Sequence, residues 1–295
     1  PAVNENKKKV SFTIRTAGII AVILVIMIVA QVMMTSYSGA MDSFFGAGES
    51  KIVYDKDAEG LDGEAYYDFT TSNTEESKEL SRQVNDEIVG EGTVLLKNED
   101  GALPLAADAK ITFLGVNALH FVIGPADDPY GDADAISLKD GFETAGFNVN
   151  PVVWDFYDRY CSANKSYTFD ELMEMNTANY PEEVTESLKD YNDAAIVVLR
   201  RATGEGTDPS KDMGAAEYNR TKLSPSAKEL ELIQYACDNF DKVIILAMSP
   251  NTMELGFIED GKYTDPYTKK TYDFTNIKAA FWSGGLGLTG AQSLA

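Results

Sequence analysis

The chain has 295 residues, enough for one large or two ordinary domains, and its formal net charge of −22 makes it strongly acidic. This charge argues against a nucleic-acid partner, because such binding depends on Lys and Arg side chains that neutralise phosphates. Two cysteines, Cys161 and Cys237, provide no disulfide framework, and with the single histidine, His120, they cannot form a zinc site. We therefore expect no metal and no cofactor.

An uncharged apolar run lies near the N-terminus. Residues 17–34 read AGIIAVILVIMIVAQVMM, and at about 1.5 Å per residue they nearly cross a hydrocarbon layer about 30 Å thick. Basic residues precede the run and acidic residues dominate after it, so the positive-inside rule places the 1–16 tail in the cytoplasm. We expect an uncleaved transmembrane signal anchor with the main domain extracellular. Cleavage after Ala40, which would release a secreted domain, is the alternative.

The next segment, residues 35–74, is acidic and has no helical period, so we interpret it as an extracellular spacer. Folded structure is expected over 75–295. Leu80, Val84 and Ile88 recur one turn apart and predict one face of a helix that ends near Gly90 and Gly92, before a short strand at 94–96.

Strands and helices then alternate along the chain. The predicted strands cover 111–116, 148–154, 194–200, 242–249 and 277–285, and the predicted helices cover 136–145, 171–175, 181–189 and a segment starting at Leu223-Ser224-Pro225, with Ser224 as the cap. This alternation indicates an α/β fold whose mostly parallel sheet is sandwiched by helices. The polar, tyrosine-rich stretch within 261–284 predicts a surface hairpin or loop.

One strand is followed by a glycine-flanked carboxylate. Ile196 to Leu199 are four consecutive β-prone residues, which predict a strand buried on both faces. Such a strand delivers the following residues to the carboxyl edge of the sheet, where open α/β folds hold their sites. Glu205 follows between Gly204 and Gly206, whose backbones allow a sharp turn and a close approach. The spacing alone is compatible with a catalytic carboxylate or a solvated charge.

Several separated stretches carry a family resemblance. They read EGTVLLKNEDGALPL (91–105), RRATGEGTD (200–208), SPNTMELGFIED (249–260) and FWSGGLGLTGAQSLA (281–295). Together they resemble the second domain of glycoside hydrolase family 3, which includes β-glucosidases, β-xylosidases and β-N-acetylglucosaminidases. Residues 148–157 also resemble the bacterial members in which the two domains are permuted. The resemblance covers about 80–295, implies an α/β sandwich, and disfavours an unrelated flavodoxin-like binding domain.

The resemblance implies a role for Glu205 as general acid and then general base of a retaining, β-glucosidase-like enzyme acting on terminal β-linked sugars. The family's nucleophile is a carboxylate on a (β/α)8 barrel, and a retaining enzyme holds its two carboxyl groups about 5–5.5 Å apart. A barrel needs roughly 250 residues, which this chain lacks beside the sandwich. We expect the barrel to follow in the same polypeptide, the sandwich to be truncated at its C-terminal end, and the fragment alone to be inactive.

Further residues are candidates for substrate contact. They are Arg200, Arg201, Asp208, Asp127, Asp128 and Tyr130. An ion pair within the protein is the alternative role for at least one arginine. The stretch 121–132 departs from the Gly/Ser-rich loop of many relatives, since Pro125 and Pro129 stiffen it. This departure keeps open a second interpretation, a non-catalytic carbohydrate-binding relative anchored at the cell surface.

The remaining conspicuous residues have structural interpretations. His120 lies in an apolar context and Cys237 in a predicted helix, so both are expected to pack inside. Trp154 and Trp282 are expected at strand ends, and Glu254 is expected to pack or cap a helix. The glycine-rich run near the C-terminus lacks the GxxxxGK[ST] pattern of a phosphate-binding loop.

Overall fold

The computed structural model describes residues 2–38, 71–124, 134–163, 174–201 and 212–295. The chain divides into two units, Pro1–Phe69 and Thr70–Ala295. The first unit contains helix α1 (Ala2–Ser36), in which the span Val10–Ser36 includes an 18-residue window that has a mean hydropathy of 2.8 and is not buried. By length and composition this helix has the properties of a membrane span, and a signal sequence near an N-terminus shares them.

The second unit contains the remaining elements. Its helices are α2 (Thr74–Gly92), α3 (Leu138–Thr144), α4 (Pro151–Ala163), α5 (Glu182–Ser187), α6 (Ala227–Asn239) and α7 (Ala291–Leu294). Its strands are β1 (Val94–Asn98), β2 (Lys110–Leu114), β3 (Asn148–Val149), β4 (Ala194–Arg200), β5 (Val243–Met248), β6 (Lys262–Thr264), β7 (Thr271–Asp273) and β8 (Ile277–Ser283).

Six strands form one mostly parallel sheet in the order β1-β8-β5-β4-β2-β3. All neighbouring pairs are parallel except β1 with β8. Every residue of β4 and β5 is buried. Apart from Arg200 at the end of β4, both strands are continuous apolar runs, as is typical of strands covered on two faces. The predicted α/β class and the predicted strand 194–200 are confirmed. Strands β6 and β7 pair separately as an antiparallel hairpin, which is one of the two forms, hairpin or loop, predicted for the tyrosine-rich stretch.

The predicted strand over 148–154 is wrong beyond its first two residues. Asn150 Oδ1 accepts hydrogen bonds from the backbone N–H groups of Val152 and Val153, at 3.1 and 3.2 Å, and Pro151 opens helix α4. Proline suits a first helical position, because its fixed φ is helical and the N–H it lacks would be unpaired there. Trp154 therefore lies in a helix and not at a strand end.

The cap of helix α6 is Ser226, not Ser224 as predicted. Ser226 Oγ accepts from Glu229 N at 3.1 Å, and Glu229 Oε2 accepts from Ser226 N at 2.7 Å, which makes a reciprocal capping box. Ser224 instead donates its hydroxyl to Glu254. Cys237, which the sequence predicted to pack inside, is buried on this helix, as is Ile233.

Two predicted helices differ in part from the structure. The predicted helix 171–175 is wrong at its end, since Glu174 and Met175 are not helical, while 171–173 lies outside the described residues. The helix with Leu80, Val84 and Ile88 on one face is confirmed as α2, yet all three side chains are exposed in this structure. Most of the predicted spacer also lies outside the described residues.

Candidate active site

The carboxyl ends of four parallel strands form one edge of the sheet. Strands β2, β4, β5 and β8 end there at Leu114, Arg200, Met248 and Ser283. The segment after β2 reaches the segment after β8, because Leu286 N and Gly287 N donate to Val122 O and Ile123 O, both at 2.9 Å. Segments following different strands thus meet at the edge where open α/β sheets hold ligands.

Five of the predicted site residues lie outside the described residues. They are Glu205 and Asp208, in the 202–211 segment, and Asp127, Asp128 and Tyr130, in the 125–133 segment. The described residues that flank them, Arg201 and Gly124, follow β4 and β2 at the carboxyl edge.

Arg201 is held entirely by protein groups. Its Nη1 and Nη2 donate to Glu229 Oε1 and Oε2 at 2.9 and 2.8 Å, a bidentate ion pair whose side chains are 6% and 1% exposed. The remaining N–H groups donate to three carbonyl oxygens, those of Lys222, Arg200 and Ser224, at 2.6–2.7 Å. All five guanidinium donors are thus used, and Arg201 has none left for a sugar in this conformation.

These contacts link the residue that precedes the 202–211 segment to residues that follow it. Arg201 directly precedes the segment, whereas Lys222 and Ser224, whose carbonyls it binds, lie after it. The structure thus favours the ion-pair role that the sequence left open for one arginine. Glu229 was not predicted, although the spacing Ser226-x-x-Glu229 is the signature of a capping box.

Arg200 is the last residue of β4 and pairs in register with Met248 of β5. Its side chain is buried in this structure. A substrate contact by Arg200 would therefore require its side chain to become accessible from the carboxyl edge, and the role stays a prediction.

Glu174 is a second acidic residue that the sequence analysis did not single out. Its Oε2 accepts from Val116 N at 3.0 Å and its Oε1 from Met175 N at 2.9 Å, directly after the end of β2. Burial raises the pKa of this carboxyl group to about 8, and the two backbone hydrogen bonds oppose that shift. Glu174 is therefore largely protonated at neutral pH.

A close backbone approach explains how Glu174 fits beneath the edge. Gly115 has φ +103, and a Cβ atom there would lie 3.1 Å from Glu174 Oε2. The backbone N–H of Gly115 donates to Tyr157 Oη at 2.9 Å. The glycine thus lets the carboxyl group pack against the strand end. In the described part of the chain, no cluster of His, Cys, Asp and Glu could hold a metal ion.

Comparison with known proteins agrees with this architecture. Residues 93–293 match the family model for the "Glycosyl hydrolase family 3 C-terminal domain". Beta-glucosidase A of Butyrivibrio fibrisolvens is 22% identical over 227 residues, which is 69% of this chain and 26% of that protein.

Solved structures share the fold. The beta-glucosidase 3B of Thermotoga neapolitana in complex with glucose has a TM-score of 0.56 and 22% identity, covering 75% of this chain and 29% of that chain. A beta-glucosidase from Paenibacillus barengoltzii has a TM-score of 0.53 and 18% identity, covering 72% and 22%. This chain thus spans about a quarter of the length of these relatives. Since the family match covers most of the chain, the chain belongs to glycoside hydrolase family 3, with the fold of its C-terminal domain.

Proposed function

We propose that this chain supplies the general acid/base of a retaining β-glycosidase, with Glu205 as the reacting carboxyl group. The observation that carries the proposal is the placement of β4, a buried strand between β2 and β5 that ends at the carboxyl edge just before Gly204-Glu205-Gly206. The relatives named above are beta-glucosidases, which supports terminal β-linked glucosides as the substrate class.

The chemistry assigns two steps to one carboxyl group. Glu205 first donates its proton to the glycosidic oxygen, while a nucleophilic carboxylate bonds to the anomeric carbon and the C–O bond of the leaving group breaks. Glu205 then takes a proton from the water that hydrolyses the glycosyl-enzyme. The nucleophile belongs to a (β/α)8 barrel outside this chain, and this chain alone is inactive.

The other proposed substrate contacts lie in the 202–211 and 125–133 segments, which come after β4 and β2 in the chain. Asp208 is near Glu205 in sequence, and Asp127, Asp128 and Tyr130 follow β2. This proposal is supported by the described residues next to these segments, Arg201 and Gly124, which follow β4 and β2 at the same edge of the sheet.

The N-terminal helix is proposed to tether the domain outside the cell. Residues 17–34 would span the bilayer, with the basic 1–16 tail in the cytoplasm and 35–74 as the spacer. The length and hydropathy of Val10–Ser36 support this topology. If the apolar segment is instead a signal sequence that is cleaved after Ala40, the domain would be secreted and not anchored in the membrane.

Azide rescue tests the proposed chemistry in the polypeptide that joins this domain to its barrel. In Glu205→Gln, an aryl glycoside with a good leaving group still forms the covalent intermediate, so a burst of phenol precedes slow turnover. Azide attacks without base assistance and should restore turnover by forming a β-glycosyl azide. Absence of both the burst and the rescue would favour the alternative, a non-catalytic carbohydrate-binding relative.

A further inference from the structure

The chain that leads into helix α5, residues 174–180, is attached to the domain at its two ends. Glu174, Met175 and Tyr180 are buried, with 1%, 6% and 9% of their surface exposed. Between them, the short 3-10 helix Thr177–Asn179 has no buried residue. A segment held by so few buried side chains can open while the rest of the domain stays folded.

At the first end, Glu174 contacts the chain where strand β2 ends. Its Oε2 accepts from Val116 N at 3.0 Å, and Val116 begins a short 3-10 helix that follows β2. The carboxyl group lies in a tight space, since a Cβ atom on Gly115 would be 3.1 Å from Glu174 Oε2 and 3.2 Å from Leu232 Cδ2. Glu174 is thus enclosed between the end of β2 and helix α6.

At the second end, the hydroxyl groups of Tyr180 and Tyr157 form a hydrogen bond. Tyr157 belongs to helix α4, and its Oη also accepts from Gly115 N at 2.9 Å. Two consecutive backbone N–H groups, those of Gly115 and Val116, are therefore bound to side chains at the two ends of the 174–180 segment, one of them through Tyr157. Burial, and to a smaller extent the nearby Glu174, raises the pKa of Tyr157 well above its usual range, so this hydroxyl stays neutral.

The titratable groups that face Glu174 offer little compensation for a negative charge. Burial raises the pKa of Glu174 to about 8 against the effect of its two backbone hydrogen bonds. Of two charged residues on α6, Glu229 raises this pKa by more than Lys228 lowers it. The other described titratable residues that interact with Glu174 are Tyr157, Tyr160 and Tyr180. Ionised Glu174 would therefore be a poorly compensated charge in the interior, which is costly.

We propose that Glu174 is a proton-dependent latch, which holds the 174–180 segment on the end of β2 while it is neutral and releases the segment as its proton passes to solvent. Opening brings the carboxylate into water, where its charge is solvated. Val116 N then loses its acceptor, and Tyr157 loses the hydroxyl group of Tyr180. The chain that follows β2 toward the carboxyl edge of the sheet is held less firmly in this open form.

The open population should rise with pH. The pKa of Glu174 is about 8 in the closed form, and the exposed carboxyl group has its usual value of 4.5. Between these values each opening releases about one proton, so the open population should increase about tenfold per pH unit. Above about pH 8 it should become constant, because the closed form has then lost its proton as well.

Hydrogen–deuterium exchange of the full chain, kept in a mild detergent, measures this opening. Peptic fragments that cover Gly115 and Val116 report the latch, whereas fragments of β5 report global unfolding, because that strand is buried throughout. After correction for intrinsic exchange rates, protection at Gly115 and Val116 should be lower than in β5 and should fall about tenfold per unit from about pH 5 to 8. Equal protection of the two regions at every pH would overturn the proposal.

Glu174→Gln preserves the shape of the side chain but cannot titrate, so the pH dependence of protection at Gly115 and Val116 should disappear. The matched control is Glu183→Gln on helix α5, which removes an exposed partner of Arg159 and should keep the original slope. An unchanged slope in Glu174→Gln would show that another group controls the opening and would overturn the proposal.

A second variant decides if Glu174→Gln does not fold. Tyr180→Phe removes the hydroxyl group bonded to Tyr157 and leaves Glu174 in place. Protection at Gly115 and Val116 should then be lower by about threefold or more at every pH, with the slope of the unsubstituted chain retained. Unchanged protection in Tyr180→Phe, or a slope near zero in the unsubstituted chain, would overturn the latch.

Discussion

Arg201 and Glu229 form a buried bidentate ion pair that joins the end of strand β4 to the first turn of helix α6. The two N–O distances are 2.9 and 2.8 Å, and Glu229 also completes the capping box with Ser226. The Arg201–Glu229 ion pair therefore links the residue before the 202–211 segment to helix α6, and Glu229 also helps to cap that helix.

Glu229→Gln should destabilise the second unit by about 3–5 kcal/mol, because it leaves the buried Arg201 charge without its partner. Urea denaturation monitored by circular dichroism measures the change. The control is Glu186→Gln, which removes an exposed partner of Lys189 and should cost no more than about 1 kcal/mol. Equal small losses in the two variants would show that the buried pair contributes little.

The buried Glu174 predicts a stability that falls as pH rises. Its pKa is about 8 in the folded chain against 4.5 normally, so between these values the folded state holds a proton that the unfolded state has released. Unfolding free energy should then decrease by about 1.4 kcal/mol per pH unit from this group alone. Above about pH 8 its contribution becomes constant.

Glu174→Gln removes the titrating group and should flatten this slope. The measurement is the unfolding free energy of both proteins in urea at several pH values from 5 to 8. The slope is the informative quantity, because the amide also changes the hydrogen bonds with Val116 N and Met175 N. Parallel pH profiles for the two proteins would show that Glu174 does not titrate in this range.

An apolar surface on α2 and β1 predicts self-association of the isolated domain, residues 75–295. Ile88 and Leu95 are 60% and 52% exposed, and Leu80, Val84 and Val94 are also exposed. Exposed apolar side chains in such number favour association or aggregation.

Light scattering of the isolated domain checks this expectation. Ile88→Lys with Val84→Lys should increase the monomer fraction, whereas Glu87→Lys on the same helix serves as a control for added charge. A cooperative, soluble monomer of the unsubstituted domain, with a sharp thermal transition, would contradict it.

The basic residues before the apolar run predict that the acidic domain lies outside the cytoplasm. Protease treatment of intact cells should release this domain by cleavage between about Met41 and Thr74, which mass spectrometry of the released fragment identifies. Full protection in intact cells would refute the topology. A mature protein that starts at Met41 before any protease is added would instead identify a cleaved signal sequence.

The parts of the fold that depend on local apolar runs could be predicted from the sequence. The β4 run from Ile196 to Leu199 predicted a buried strand because four consecutive β-prone apolar residues are typical of a strand covered on both faces. The run after Pro151 fits a strand or a helix equally well, and the Asn150 cap and the proline decided for the helix. Element type was therefore ambiguous for the residues that follow Pro151.

The network around the site could not be predicted, because it joins residues distant in sequence. Arg220 and Asp265 look like surface charges within polar stretches, and only the folded hairpin brings them together and buries both. Arg201 was singled out because it adjoins Glu205, but its partner Glu229 lies 28 positions away on a helix. The sequence thus indicated where the segment that contains Glu205 lies, but it did not predict the ion pairs of the residues near that segment.

The most direct test of the account is disaccharide hydrolysis by Glu205→Gln in a polypeptide that carries this domain together with the proposed (β/α)8 barrel. The account predicts a loss in kcat/KM of about two or more orders of magnitude, because the leaving group no longer receives a proton. Glu231→Gln, an exposed carboxylate change on helix α6, should leave it within about twofold. Near-normal turnover in Glu205→Gln, together with loss of activity in Asp208→Asn, would contradict the assignment.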